Sequence, residues 1–186
     1  MNEHEENKIA KFVDGLRLDE SVTPEEFLKA VKSAYQDRTR QIYFIWRAIK
    51  ELHPEIDADE IIRRGSHAFG LYQGNKIKNA GRKASHGSDE ILLGQTTRSG
   101  YMVFKQHITQ LSGERAEKEF TACPHAEALE ELGLEKDQIT RFCRDMLIAC
   151  DYGIVEPFED VEISFPSTVA DGQGEPCRMI IERRKD

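Results

Sequence analysis

The chain has 186 residues and a formal net charge of −8, with 34 acidic side chains against 26 lysines and arginines. This acidic balance argues against a surface built to neutralise phosphates, so we expect no nucleic-acid partner. No apolar stretch approaches the ~20 residues of a membrane helix, so we expect no membrane partner either. The polar, acidic start Met1–Glu6 is unlike a signal peptide and predicts a cytoplasmic protein.

Cysteine usage is the next constraint. The chain has four cysteines, at positions 123, 143, 150 and 177. In a reducing cytoplasm we expect packing, catalytic or metal-binding roles for these cysteines in preference to disulfides.

The first half of the chain carries helical signals. Thr23-Pro24-Glu25-Glu26 is a helix start, and apolar residues recur from there at helical spacing until His53-Pro54, although Arg38 interrupts the stripe. A second helix is predicted after Asp57, with glycines that would permit close helix contact or close ligand approach. The segment from Gly81 to Gly100 is predicted to be a loop or lid with at most a short turn.

The second half carries mixed signals. Residues 101–109 alternate as a strand, 117–122 return as its partner, and a short helix follows Pro124. Residues 137–152 have one apolar stripe typical of an amphipathic helix. Alternating residues at 161–165 and 177–181 predict two more strands, joined by a turn that contains Asp171–Gly174.

These elements predict an α+β protein. An N-terminal helical part, residues 1–95, would pack on an antiparallel sheet with covering helices in β-β-α-α-β-β order, residues 96–186. The two parts could form one continuous domain. The sequence leaves open whether the protein is a homo-oligomer.

The cysteines are the first candidates for chemistry. Cys123 lies where a strand meets a helix start, and there the helix dipole would lower the pKa of its thiol. Cys143 and Cys177 lie on apolar faces, where packing competes with function, and Cys150 is interpreted as a packing residue. His107 is a plausible proton carrier if its side of the strand faces a ligand.

Other types of site find little support. One Cys-X-His occurs but no Cys-X-X-Cys pair, so we expect no metal and no other cofactor. No nucleophile elbow, zinc-protease motif or dinucleotide fingerprint is present. Asp145 and Asp151 lie six residues apart on a helix and therefore on different faces, which does not support a paired-carboxylate hydrolase.

At its cysteines the chain resembles the L-2-amino-thiazoline-4-carboxylic acid hydrolase family over roughly its last 70 residues. The matching motifs are Cys123-Pro124, the helix Ala128-Leu129-Glu130-Glu131-Leu132-Gly133-Leu134, Phe142-Cys143 with Asp145, and Thr168-Val169-Ala170-Asp171-Gly172 leading to Cys177. The resemblance implies a hydrolase that opens a cyclic amidine ring of a small-molecule substrate by cleaving a C–N bond.

Roles for individual residues follow from that implied reaction. Cys123 or Cys143 would be the nucleophile, unless an activated water attacks instead, and Asp145 and His107 would transfer protons. Cys177 would line the site. Substrate carboxylate would be held by Arg98 or Arg141.

Two other functions stay open. The glycine turn before a final cysteine strand also resembles small-molecule-binding domains of the vinyl-reductase type, which would make the protein a non-catalytic sensor or carrier. Buried, inert thiols at Cys143 and Cys177 would favour that function. A redox or metal-responsive protein that uses Cys123, Cys143 and Cys177 together is the third hypothesis.

Overall fold

The computed structural model describes residues 22–80, 86–171 and 174–184. Three expectations lie wholly or partly outside these residues: the acidic start, positions 81–85 of the predicted loop from Gly81 to Gly100, and positions 172–173 of the predicted turn before the last strand. Within the described residues the protein is a mixture of helices and one four-stranded antiparallel sheet, so the α+β prediction is confirmed.

Two long helices come first: α1 (Pro24–Leu52) and α2 (Ala58–Ala80). Thr23 caps α1, since its hydroxyl accepts from the Glu26 amide while the Glu26 carboxylate accepts from the Thr23 amide. This reciprocal pair satisfies two amides that would otherwise lack partners, with Pro24 at the first helical position. Both helices were predicted, and both are confirmed.

Two short helices follow, α3 (Ser88–Gln95) and α4 (Arg98–Val103). The prediction of a loop with only a short turn was wrong for this region. Ile91 and Leu92 are completely buried against the sheet, and tertiary packing of this kind stabilises helices whose own propensity is weak.

The sheet contains β1 (Gln106–Leu111), β2 (Arg115–Phe120), β3 (Val161–Ser164) and β4 (Cys177–Arg183), in the order β1-β2-β4-β3. The strand predicted from residue 101 begins only at Gln106, because residues 101–103 complete α4. Lys118 of β2 is opposite Met179 of β4, and Glu117 is opposite Ile180. Successive side chains point to opposite faces, so Lys118 and Met179 share the helix-covered face, and Glu117 and Ile180 share the other.

The helices between β2 and β3 are α5 (Pro124–Glu131), α6 (Lys136–Arg141) and α7 (Ala149–Val155), with a π-helical segment (Phe142–Leu147) between the last two. A short 3₁₀ turn (Val169–Asp171) precedes β4. The single helix predicted over residues 137–152 is therefore interrupted at Cys143. π-helical turns occur often at functional sites.

Helices α2 and α7 pack unusually closely. A Cβ on Gly70 would lie 1.9 Å from the Cys150 carbonyl oxygen, and one on Gly74 would lie 2.2 Å from the Ile154 carbonyl oxygen. Only glycine allows this approach. The sequence left two roles open for the glycines of this helix, close helix contact or close ligand approach, and Gly70 and Gly74 make the helix contact. The contact joins the predicted helical part to the part that carries the sheet, and it fixes the position of Asp151 on α7. The predicted boundary at residue 95 falls at the end of α3.

Among the described residues, none of the helices combines the length and the apolar composition needed to cross a bilayer.

Candidate functional site

A large cavity lies between the first two helices, the helices around α7 and one face of the sheet. Its volume is about 1280 Å³, which is larger than the ~300–1,000 Å³ common for small-molecule sites. Its walls are mainly apolar and include Ile42, Ile62, Phe104, Phe120, Ile154 and Met179. The exposed side chains of Ile61, Phe69 and Leu93 also line it and mark its opening to solvent.

Lys118 contributes a buried amine to the cavity. The residue is only 2 % exposed, on the central strand β2. Its Nζ donates to Thr96 Oγ1 at 3.0 Å and lies 5.2 Å from the centre of the Phe120 ring. Burial lowers the pKa of Lys118 to about 8, although the Asp151 charge acts in the opposite direction.

Asp151 contributes a half-buried carboxyl group to the same cavity. Burial raises the pKa of Asp151 to about 6, although the charges of Lys118 and Arg38 favour its ionised form. Neither Lys118 nor Asp151 has an ion-pair partner among the described residues. The cavity therefore holds a cation and an anion that interact at a distance without contact.

Three buried polar atoms also belong to residues that line the cavity. His86 Nε2, Gln106 Oε1 and Thr168 Oγ1 have no hydrogen-bond partner in the described part of the chain. Their residues are 5 %, 6 % and 1 % exposed. Buried polar atoms are nearly always paired in folded proteins, so these three unpaired atoms are exceptions that packing alone does not explain.

The structure brings Cys123, Cys143 and Cys177 to the cavity wall, together with Cys150. Cys123 caps α5, and its Sγ accepts from the Ala126 amide at 3.5 Å. Burial nevertheless raises the pKa of this thiol, so the expected lowering was wrong, because desolvation outweighs the helix-start amides. Burial also raises the pKa of Cys143, and it raises the pKa of Cys150 and of Cys177 to about 12.

His125 lines the cavity in a defined neutral form. The Thr39 hydroxyl donates to the Tyr35 carbonyl and lies 2.6 Å from His125 Nδ1. Because the hydroxyl hydrogen is already used, Nδ1–H must donate to Thr39, and Nε2 accepts from Arg38, 3.4 Å away. Burial, with the Arg38 charge, lowers the pKa of His125 to about 3.

Four sequence-predicted site residues lie outside the cavity lining. His107 is exposed on β1 opposite Glu119, on the sheet face away from the cavity. Asp145 and Arg141 are exposed on the far side of their helices and lie 3.8 Å apart. Arg98 is exposed at the start of α4. Their predicted roles stay predictions.

Sequence reasoning missed Lys118 and Asp151 and gave Arg38 no role. Two signals were present. Arg38 interrupts an otherwise apolar stripe, and Lys118 alternates in phase with Ala116 and Phe120 on the covered side of its strand. A charged residue in an apolar phase is a functional candidate that residue type alone does not reveal.

The described residues contain no group of three histidine, cysteine or carboxylate side chains arranged to hold a metal ion.

Comparison with protein-family models gives no match to this chain, and a search of curated proteins gives no significant relative.

Proposed function

We propose that this protein binds a mainly apolar small organic molecule in the cavity. The observation that carries this proposal is the position of its unpaired polar atoms. His86, Gln106 and Thr168 line one apolar space, and each carries a buried polar atom that lacks a hydrogen-bond partner among the described residues. Specific ligand sites have this composition: apolar walls supply affinity, and a few polar groups fix orientation.

The cavity volume supports the same proposal. A space of about 1280 Å³ with few polar groups cannot be filled by this chain's own side chains without rearrangement. Its opening is lined by exposed apolar side chains, including Phe69 and Leu93. An apolar ligand that covered them would gain about 25 cal/mol for each Å² of apolar surface removed from water.

Titration with N-phenyl-1-naphthylamine, an uncharged dye that fluoresces in apolar surroundings, tests the proposal. Gly65 lies on the exposed side of α2, lines the cavity and has open space where a side chain would project. We expect the wild-type protein to bind the dye saturably and the Gly65→Trp variant to bind it at least tenfold more weakly.

The matched control is Gly113→Trp. Gly113 is also exposed with open space around it, but it lies in the β1–β2 turn outside the cavity lining. This variant should bind like the wild type. Equal affinity in all three proteins, or no saturable binding in any, would contradict the proposal.

A second candidate is the hydrolysis of a cyclic amidine with C–N bond cleavage. The specific observation in its favour is that Cys123, Cys143 and Cys177 line the same cavity as Asp151. Because burial raises the pKa of all three thiols and so keeps them protonated, an activated water molecule is a better nucleophile than these thiols. In this version Asp151 removes a proton from water, and the water oxygen attacks the amidine carbon.

The remaining steps need only proton transfer. As the ring C–N bond breaks, the added hydroxyl group becomes a carbonyl, and the ring nitrogen takes two protons: the one that Asp151 carries and the one that the hydroxyl releases through the same carboxylate. Arg38 at the cavity edge would hold the substrate carboxylate, since it has no ion-pair partner among the described side chains.

Loss of L-2-amino-thiazoline-4-carboxylate, followed by chromatography, tests this candidate. Turnover that falls at least a hundredfold in Asp151→Asn but survives in Cys143→Ser would support water attack. Turnover lost in Cys143→Ser and kept in Asp151→Asn would reinstate a thiol nucleophile. If no turnover occurs, the hydrolase candidate fails and the binding proposal is unaffected.

A further inference from the structure

Lys118 is the buried reactive group that neither proposed function uses. It lies on the cavity face of the central strand β2 and has no carboxylate within ion-pair distance among the described residues. Among the described residues, its ammonium group contacts Thr96 Oγ1 and the face of Phe120. A lysine whose only role is to keep the protein soluble lies on the surface, so the buried position of Lys118 points to another role.

We propose that Lys118 captures apolar aldehydes or ketones in the cavity by forming an imine with them. This inference rests on the proposed function, since the carbonyl compound must first enter the cavity. The ligand class is a small carbonyl compound with an apolar body, which matches the walls formed by side chains such as Ile154 and Met179.

The chemistry balances without an oxidant or reductant. The lone pair of neutral Lys118 Nζ attacks the carbonyl carbon, so a C–N bond forms and the oxygen becomes a hydroxyl group. The C–O bond then breaks, and the oxygen leaves as water with the two amine hydrogens. The product is an imine, which water reverses to amine and carbonyl.

The surroundings supply what this step requires. With its pKa near 8, about a tenth of Lys118 is neutral at pH 7, against roughly three in ten thousand for an ordinary lysine. Asp151 on α7 is the charged group that acts on Lys118. Its carboxyl group can accept a proton from the nitrogen and return it to the departing hydroxyl.

The imidazole of His125 and the thiols on the cavity wall do not compete for this role. The His125 ring is held neutral by Thr39 and Arg38, and burial keeps the thiols protonated. Charged or titratable side chains that line the cavity and belong to the other elements are Tyr35, Arg38, Lys76, His86, Glu90, Cys123, His125, Cys143 and Cys177. Lys76, the other lysine of the lining, is exposed.

Reductive trapping tests the inference. The wild-type protein is incubated at pH 7 with hexanal and sodium cyanoborohydride, which converts an imine irreversibly into a secondary amine. Peptide mass mapping then gives the labelling rate of each lysine. We expect Lys118 to label at least tenfold faster than exposed Lys105. Glyceraldehyde, a polar aldehyde, should not prefer Lys118.

Two controls separate this inference from the proposed function. Lys118→Arg keeps the charge and removes the nucleophile, so it should lose the fast label while its circular dichroism spectrum stays that of the wild type. Excess dye should protect Lys118 in the wild type. If the dye binds but Lys118 labels no faster than Lys105, the imine inference alone is overturned. If the dye does not bind, the proposed function fails.

Discussion

Lys118 and Asp151 face the same cavity from a strand and a helix and do not form an ion pair with each other. Each lacks a salt-bridge partner among the described residues. Burial lowers the pKa of Lys118 and raises that of Asp151, and both shifts favour the uncharged form. A buried charge without direct compensation costs stability. We therefore expect both residues to destabilise the fold at neutral pH, which points to a role in the cavity rather than in folding.

The first prediction concerns Lys118→Met, which removes the amine at similar size. The pKa of Lys118 in the folded protein, about 8, lies below the value of 10.5 for a free lysine side chain. Between these values the unfolded chain binds more protons, so wild-type stability should rise with pH in that window. The free energy of unfolding is measured by urea titration at pH 7.5 and at pH 10. Between these pH values that of the wild type should increase by up to roughly 3 kcal/mol relative to that of Lys118→Met. A constant difference between the two proteins would contradict the lowered pKa.

Asp151→Asn should stabilise the protein at neutral pH. The pKa of Asp151 in the folded protein, about 6, lies above the value of 3.8 for a free aspartate side chain. Its ionisation therefore costs the folded state stability as the pH rises from about 4 to 6. The variant should exceed the wild type by up to roughly 3 kcal/mol at pH 7.5 and match it near pH 3.5. The measurement is urea unfolding at both pH values.

Glu117→Gln is the matched control for that prediction, and its effect should have the opposite sign. Glu117 is also buried, but it lies on the other face of the sheet, where it accepts from Arg178 and Arg115. The Arg178 hydrogen bond holds the pKa of Glu117 below its usual value. The variant should lose about 1–2 kcal/mol at pH 7.5. Stabilisation by Glu117→Gln would show that buried carboxylates of this protein are unfavourable in general, and the effect of Asp151→Asn would then not distinguish Asp151.

The contact between α2 and α7 gives a third prediction. Gly70→Ala places a Cβ within 1.9 Å of the Cys150 carbonyl oxygen. The helices must separate, so we expect a loss of at least about 3 kcal/mol in urea unfolding and weaker dye binding. Gly65→Ala is the control in the same helix, because it has open space around its Cβ. It should gain about 0.5–1 kcal/mol from helix propensity. Tolerance of Gly70→Ala would contradict the close packing.

The thiols provide a fourth prediction. Because burial raises the pKa of Cys123, Cys143 and Cys177, native protein at pH 8 should react with iodoacetamide at least tenfold more slowly than a free thiol. Unfolding in urea should abolish the protection. Rapid alkylation of any one of the three in the native protein would identify a thiolate and favour covalent catalysis.

The sequence predicts the fold better than the site, for identifiable physical reasons. The Thr23-Pro24 helix start and the alternation at Cys177–Ile181 are local signals, and the structure confirms both elements. α3 was missed because burial of Ile91 and Leu92, a tertiary effect, stabilises it.

Whether a residue belongs to the site depends on which side of its helix or strand faces the cavity. Cys123, Cys143 and Cys177 reach it, whereas His107 does not, because the covered side of β1 is set by its pairing with β2. The sequence could not show that Lys118 and Asp151 face the same cavity, because the α2–α7 packing that positions Asp151 is a long-range contact.

Methyl NMR titration with N-phenyl-1-naphthylamine tests the central claim, ligand binding in the cavity, most directly. Met179 and Ile180 are neighbours on β4, but Met179 lines the cavity and Ile180 lies on the opposite face of the sheet. We predict that saturating dye shifts the Met179 methyl resonance and leaves the Ile180 methyl resonances unchanged. Shifts at Ile180 without shifts at Met179, or shifts confined to exposed apolar residues such as Ile45, would contradict binding in the cavity.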